Sequence, residues 1–142
     1  MKAQNRIQSI SKIYVVFSAF SLFSVSIMAF FSPQAVMDLV QVQLNNTDAY
    51  SSIRGVYGGV GFALVIGLLY HMRRHLQEAV GFLGLFWGLY AASRFTTIIT
   101  EGALGAFGNR WLMIESSMCV IAFVLLLVNR RAVARKTRFV NA

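Results

Sequence analysis

The sequence predicts an all-α integral membrane four-helix bundle with a short amphipathic helix in its first outer loop. Three observations carry this reading. Charged residues make up 13% of the chain, against roughly 25% in an ordinary soluble domain. Four apolar stretches of 18 to 22 residues stand between polar or glycine-containing breaks. None of the four has a polar face along its whole length, as a soluble bundle helix would, and FVLLLV and ALVIGLL have no polar residue at all. A helix rises 1.5 Å per residue, so roughly 20 residues cross the ~30 Å hydrocarbon core. The alternation over about ten residues that a membrane β-strand needs is absent.

At 142 residues and a mass of 15.8 kDa, the chain suits one membrane domain over 1–142. The expected spans are about 13–31, 53–70, 78–99 and 111–128, followed by a basic cytoplasmic tail over 129–142. A single cysteine excludes an internal disulfide and a cysteine-only metal site. One proline and 11 glycines exclude a collagen-like or proline-rich disordered chain.

The first span follows Lys2, Arg6 and Lys12, as a signal peptide would. Its 19-residue apolar core is longer than the usual 7–15, and Ser32-Pro33-Gln34 is a poor cleavage site, so it reads as retained. In the outer loop, Ser32 suits a helix cap and Pro33 a first turn. Gln34, Asp38, Gln41 and Asn45 then line one face while Val36, Leu39, Val40 and Leu44 point elsewhere. That pattern predicts an amphipathic helix at the membrane surface or capping the bundle. Asn45-Asn46-Thr47 matches a glycosylation sequon, here a chance match. A turn over 46–52 leads into the second span, with Ser51 or Ser52 as its cap.

In the second span Gly55, Gly59, Ala63 and Gly67 recur every four residues, and in the third Gly84, Gly88 and Ala92 do the same, with Gly81 one turn earlier. Small-residue faces let helix backbones approach closely where lipid offers no hydrophobic drive. The two stripes are expected to pack spans two and three together, with a homodimer contact as the rival. In the first span Ser18 and Ser21 share a face with Tyr14. In the fourth, Cys119 and Ala122 continue the face of Glu115 as packing residues.

Ten of the 13 bases fall in three segments: the N-terminal stretch, the 71–77 link with Arg73 and Arg74, and the tail from Arg130 to Arg138. With four spans these segments share one side, so the bias predicts a multi-pass inner-membrane protein with both termini cytoplasmic. The tail is expected to contact anionic lipid, not nucleic acid. His71 and His75 flank the arginine pair without carboxylate or cysteine neighbours, which argues against metal.

Four ionisable residues gather at or near the outer edge: Arg54 heads span two, Arg94 lies near the end of span three, Glu101 just beyond it, and Glu115 about one turn into span four. Arg94, Thr97 and Glu101 share a helix face, and Tyr57 and Tyr90 sit one turn from Arg54 and Arg94. Intramembrane charge is costly and is normally paired or turned to the bundle interior. The expected arrangement is Arg54 and Arg94 against Glu101 and Glu115, either as a structural ion-pair network or as an outward-facing pocket for an amphiphile. No HExxH, GxGxxG or GxSxG motif is present, and no cofactor or metal site is expected.

Ile53-Arg54-Gly55-Val56-Tyr57-Gly58-Gly59 resembles the most typical stretch of a bacterial membrane family, the domain of unknown function numbered four-three-four-five. Gly88, Ala91-Ala92-Ser93-Arg94, Gly102 and Glu115 match its later elements in order, and the resemblance covers roughly 10–128. It implies four helices and membrane location, implies no reaction, and singles out Arg54, Tyr57, Arg94, Glu101 and Glu115. The reading favoured is a non-enzymatic module that binds a small lipid-like amphiphile or assists a membrane protein partner, among membrane lipids. An enzyme on a lipid-like or quinone-like substrate comes second. An oligomeric small-solute transporter comes third, because complete transporters carry repeats and broken helices at mid-depth.

Overall fold

A computed structural model describes the backbone over residues 2–140 and the side chains from Gln4 to Ala134. The side chains of Lys2, Arg135, Lys136 and Arg138 lie outside the described residues, and with them most of the expected basic tail. The elements are α1 (Lys2–Phe31), α2 (Pro33–Asp38), α3 (Thr47–Ile53), a π-helical segment (Arg54–Gly59), α4 (Val60–Arg74), α5 (Leu76–Thr100) and α6 (Ala106–Val140). Four helical stretches are long and apolar enough to cross a membrane: Gln4–Phe31, Thr47–Arg74, Leu76–Thr100 and Ala106–Ala134. The end carrying α2 and the α5–α6 turn is termed the loop end. The end carrying the α4–α5 turn is the terminal end.

The second stretch is one rod made of α3, the π segment and α4. It begins earlier than the serines suggest, because Asn46 Oδ1 accepts from the Ala49 N–H at 2.8 Å and caps it. Within Arg54–Gly59 the backbone widens, and the Val60 N–H donates to the Gly55 carbonyl five residues back. The rod packs on α1. A Cβ at Gly58 would lie 3.0 to 3.2 Å from Phe30, backbone included, and one at Gly61 would strike Ser26. Phe62 stacks tilted between Phe23 and Phe30, with centroids 5.9 and 5.8 Å away.

This overturns the expected pairing of the glycine stripes. A Cβ at Gly55 or Gly67 would meet nothing within 4 Å, and one at Gly59 only a carbonyl of its own rod. Gly84 and Gly88 do make close contacts, but with α6: added Cβ atoms would lie 3.1 Å from Ala122 Cβ and 3.2 Å from Cys119 Sγ. The bundle is therefore two close pairs, α1 with the α3–α4 rod and α5 with α6, joined through a shared core. Val15, Val80, Leu83 and Ala122 are fully buried there. Two polar bonds cross the joint. Tyr14 Oη donates to the Met118 carbonyl at 2.9 Å, and Trp87 Nε1 donates to Ser18 Oγ at 3.4 Å. Ser21 instead donates to Phe17 O within its own helix.

The outer loop is folded by Gln34. Its amide nitrogen donates to Asp38 Oδ1 and to the Val42 carbonyl at 2.6 and 2.9 Å, and its amide oxygen accepts from the Leu44 N–H at 2.9 Å. The helix therefore stops after Asp38, short of the expected run to Asn45, and Gln41 takes a left-handed φ of 59°. Val36 and Met37 bury against Ala29, so the loop caps the bundle.

Candidate functional site

Close α5–α6 contact fixes an antiparallel register. Gly84 meets Ala122, Gly88 meets Cys119, and one step further toward the loop end Arg94 meets Glu115. The absence of side chains at 84 and 88 brings the backbones near enough for that third pairing to be direct. Arg94 Nε donates to Glu115 Oε2 at 2.6 Å and Nη2 donates to Oε1 at 2.8 Å. Such a two-bond fork fixes both groups geometrically as well as electrostatically. The Glu115 side chain is 2% exposed and the Arg94 side chain 21%.

A guanidinium carries five N–H donors. Glu115 takes two, and the other three have no hydrogen-bond partner among the described residues. Arg94 lies six residues before Thr100, the last residue of α5, so it sits about 9 Å from that end. Tyr90, one turn deeper, and Tyr57 of the π segment are within electrostatic reach of each other, and Tyr90 also feels Arg94 and Glu115. Both tyrosines are about 40% exposed, and neither hydroxyl is hydrogen bonded among the described residues. Near the loop end, unused guanidinium donors therefore lie close to two partly exposed phenols.

The other two expected members stand apart. Arg54 Nε donates to the Phe30 carbonyl at 3.1 Å, and its guanidinium lies 5.9 Å from the Tyr50 ring centroid. It thus satisfies one of the last carbonyls of α1, a favourable place for a cation. Glu101 is the C-cap of α5 and is exposed, bonded to the Thr100 hydroxyl. The shared face of Arg94 and Glu101 does not bring them together, because α5 ends at Thr100 and Arg94 crosses to α6. Neither Arg54 nor Glu101 forms an ion pair among the described residues. Gly102 closes the helix: its φ of 104° belongs to glycine, and its N–H reaches back to the Thr97 carbonyl at 3.2 Å.

At the terminal end, His75 alone breaks the helix between α4 and α5. Starting α5 at Leu76 returns Glu78 to the histidines, with Oε1 3.4 Å from His75 Nδ1 and Oε2 3.9 Å from His71 Nδ1. The histidines therefore do have a carboxylate neighbour, contrary to the sequence reading, which treated the link as an open loop. Among the described residues no cluster of His, Cys, Asp and Glu is arranged to hold a metal ion. Cys119 Sγ donates to the Gly84 carbonyl at 3.4 Å and is a packing residue.

A family model described as "Domain of unknown function (DUF4345)" matches residues 10–126. Comparison with curated proteins and with solved structures returns no match.

Proposed function

The chain belongs to the DUF4345 family of small membrane proteins, and from that premise we propose that the polar surface beside Arg94 binds the polar group of a small amphiphile. The observation that carries this is the half-used guanidinium. Three N–H donors held within a membrane span call for an acceptor, because unpaired donors there are costly. Glu115 neutralises the charge, so the site favours a carbonyl, hydroxyl or phosphoryl oxygen of modest charge over a bare anion. Tyr57 and Tyr90 supply flat apolar faces and free hydroxyls for a ring or headgroup. The glutamate is paired and sealed, a poor position for a proton donor. That favours binding over catalysis, and lipid contact along the apolar helix faces supplies the route of entry. Both termini are taken as cytoplasmic from the base distribution, which puts Arg94 and Glu115 toward the outer leaflet.

The test is native mass spectrometry of the chain released from its own membrane in mild detergent. An amphiphile retained in stoichiometric amount should be lost from the Arg94→Leu/Glu115→Leu double variant and weakened by Tyr90→Leu. Retention of the same species at the same level in both variants would overturn the assignment.

A further inference from the structure

We infer that the apolar groove between α4 and α5, at the terminal end, seats an acyl chain of an anionic phospholipid whose headgroup rests on the α4–α5 turn. The groove has a volume of about 360 Å³ and is walled by Ala63, Gly67, Leu68, Ala79 and Phe82, with His71 and Glu78 at its mouth. That volume falls within the ~300–1,000 Å³ of ordinary ligand clefts. Its existence follows from the helix pairing. Because α4 docks on α1 and α5 on α6, the small residues Ala63 and Gly67 are left facing a gap, and a Cβ at 67 would touch nothing within 4 Å.

The charge at the mouth selects the occupant. Arg73 and Arg74 end α4 and form no ion pair among the described residues. Arg74 lies one turn beyond His71 on the groove side, with its guanidinium 5.3 Å from the Tyr70 ring centroid, a half-exposed aromatic at headgroup level. The one acid at the mouth, Glu78, already faces His75 and His71. An apolar slot whose mouth lies beside the unpaired guanidinium of Arg74, with that of Arg73 on the same last turn, matches an acyl chain attached to a phosphate. It does not match a second apolar helix, which would leave those charges unanswered. Glu78 and Arg94 are 16 residues apart on α5, about 24 Å, so this groove is distinct from the polar surface beside Arg94.

The purified full chain, stripped of lipid in detergent, is offered dioleoyl phosphatidylglycerol or dioleoyl phosphatidylcholine, and bound lipid is counted by native mass spectrometry. The wild type should retain phosphatidylglycerol in preference. Gly67→Leu places its Cβ in open space and its branch in the groove, displacing about two methylenes of chain, so retention should fall about tenfold with the fold retained. Ala63→Leu carries the same test if that variant does not fold. Arg73→Gln/Arg74→Gln should erase the preference between the two lipids. Equal retention of both lipids by the wild type, or undiminished retention by the groove-filling variants, would overturn the inference. So would a dimer that Gly67→Leu converts to monomer with lipid binding unchanged, since the occupant would then be a second copy.

Discussion

Breaking the Arg94–Glu115 pair from its two sides should give unequal losses. Arg94→Leu strands a carboxylate whose side chain is 2% exposed, with no route to water. Removing one partner of a buried pair costs about 3–5 kcal/mol, because the charge left behind is uncompensated. Glu115→Leu strands a guanidinium that is already 21% exposed and carries a flexible apolar stem. That side chain can snorkel the ~9 Å to the loop end, which limits the loss to about 1–3 kcal/mol. Changing both residues to leucine removes the orphaned charge altogether. The double variant should then be more stable than Arg94→Leu alone, with a coupling of about 1–3 kcal/mol between the sites. Reversible unfolding by titration with a denaturing detergent, run on all four proteins, measures the cycle. Glu101→Leu, on an exposed cap, should change stability by less than about 0.5 kcal/mol. Additive losses in the double variant, or a larger loss for Glu115→Leu than for Arg94→Leu, would refute the argument.

Three further outcomes can be checked. Gly58→Leu drives a side chain into the backbone and ring of Phe30 and should cost about 1–3 kcal/mol in the same unfolding assay, while Gly55→Leu, whose Cβ meets nothing, should be tolerated. Gln34→Ala removes all three bonds that fold the outer loop, so the Leu44 amide should exchange hydrogen faster and limited proteolysis should begin between 39 and 46. Reporter fusions at Asn46 and Gly105 should behave as external and one at Arg74 as internal, following the base distribution; the opposite pattern would invert the bundle.

Some of this was readable from the residues because the physics behind it is local. A run of about 20 apolar residues has few choices in a bilayer, so the four crossing helices follow from hydropathy alone. An arginine and a glutamate inside such runs are expensive apart, and among the described residues Arg94 and Glu115 pair between two spans. Arg54 and Glu101 escaped the same logic because each sits at a helix junction, where a free carbonyl or a neighbouring hydroxyl answers it. The length of α2 depended on one glutamine reaching eight and ten residues ahead, and no periodicity announces that. The partner of each small-residue stripe was equally hidden. A stripe says that something comes close; the register of the whole bundle decides what.

The stripe in the second helix misled because the rod buries the neighbouring face, Gly58, Gly61, Val65 and Leu68. Residues four apart share a face only on an uninterrupted α-helix. Across Arg54–Gly59 the hydrogen bonding lengthens to five residues, which re-aims the side chains before it relative to those after it. The glycines that touch α1 are Gly58 and Gly61; a Cβ at Gly55 or Gly59 would meet no other helix within 4 Å, and Gly67 lines the groove toward α5. These six residues are also the core of the sequence element by which the chain resembles its family. Their order has a mechanical sense. Arg54 ties the rod to the Phe30 carbonyl, Gly58 lets the same residue's ring and backbone approach, and Tyr57, between the two, is carried toward Tyr90 on the other helix pair. Single-turn π insertions recur at functional sites because they re-aim side chains that an α-helix would point elsewhere. The arginine and glycines of the element thus serve as hinge and seat, and Tyr57 is the side chain that they turn toward Tyr90.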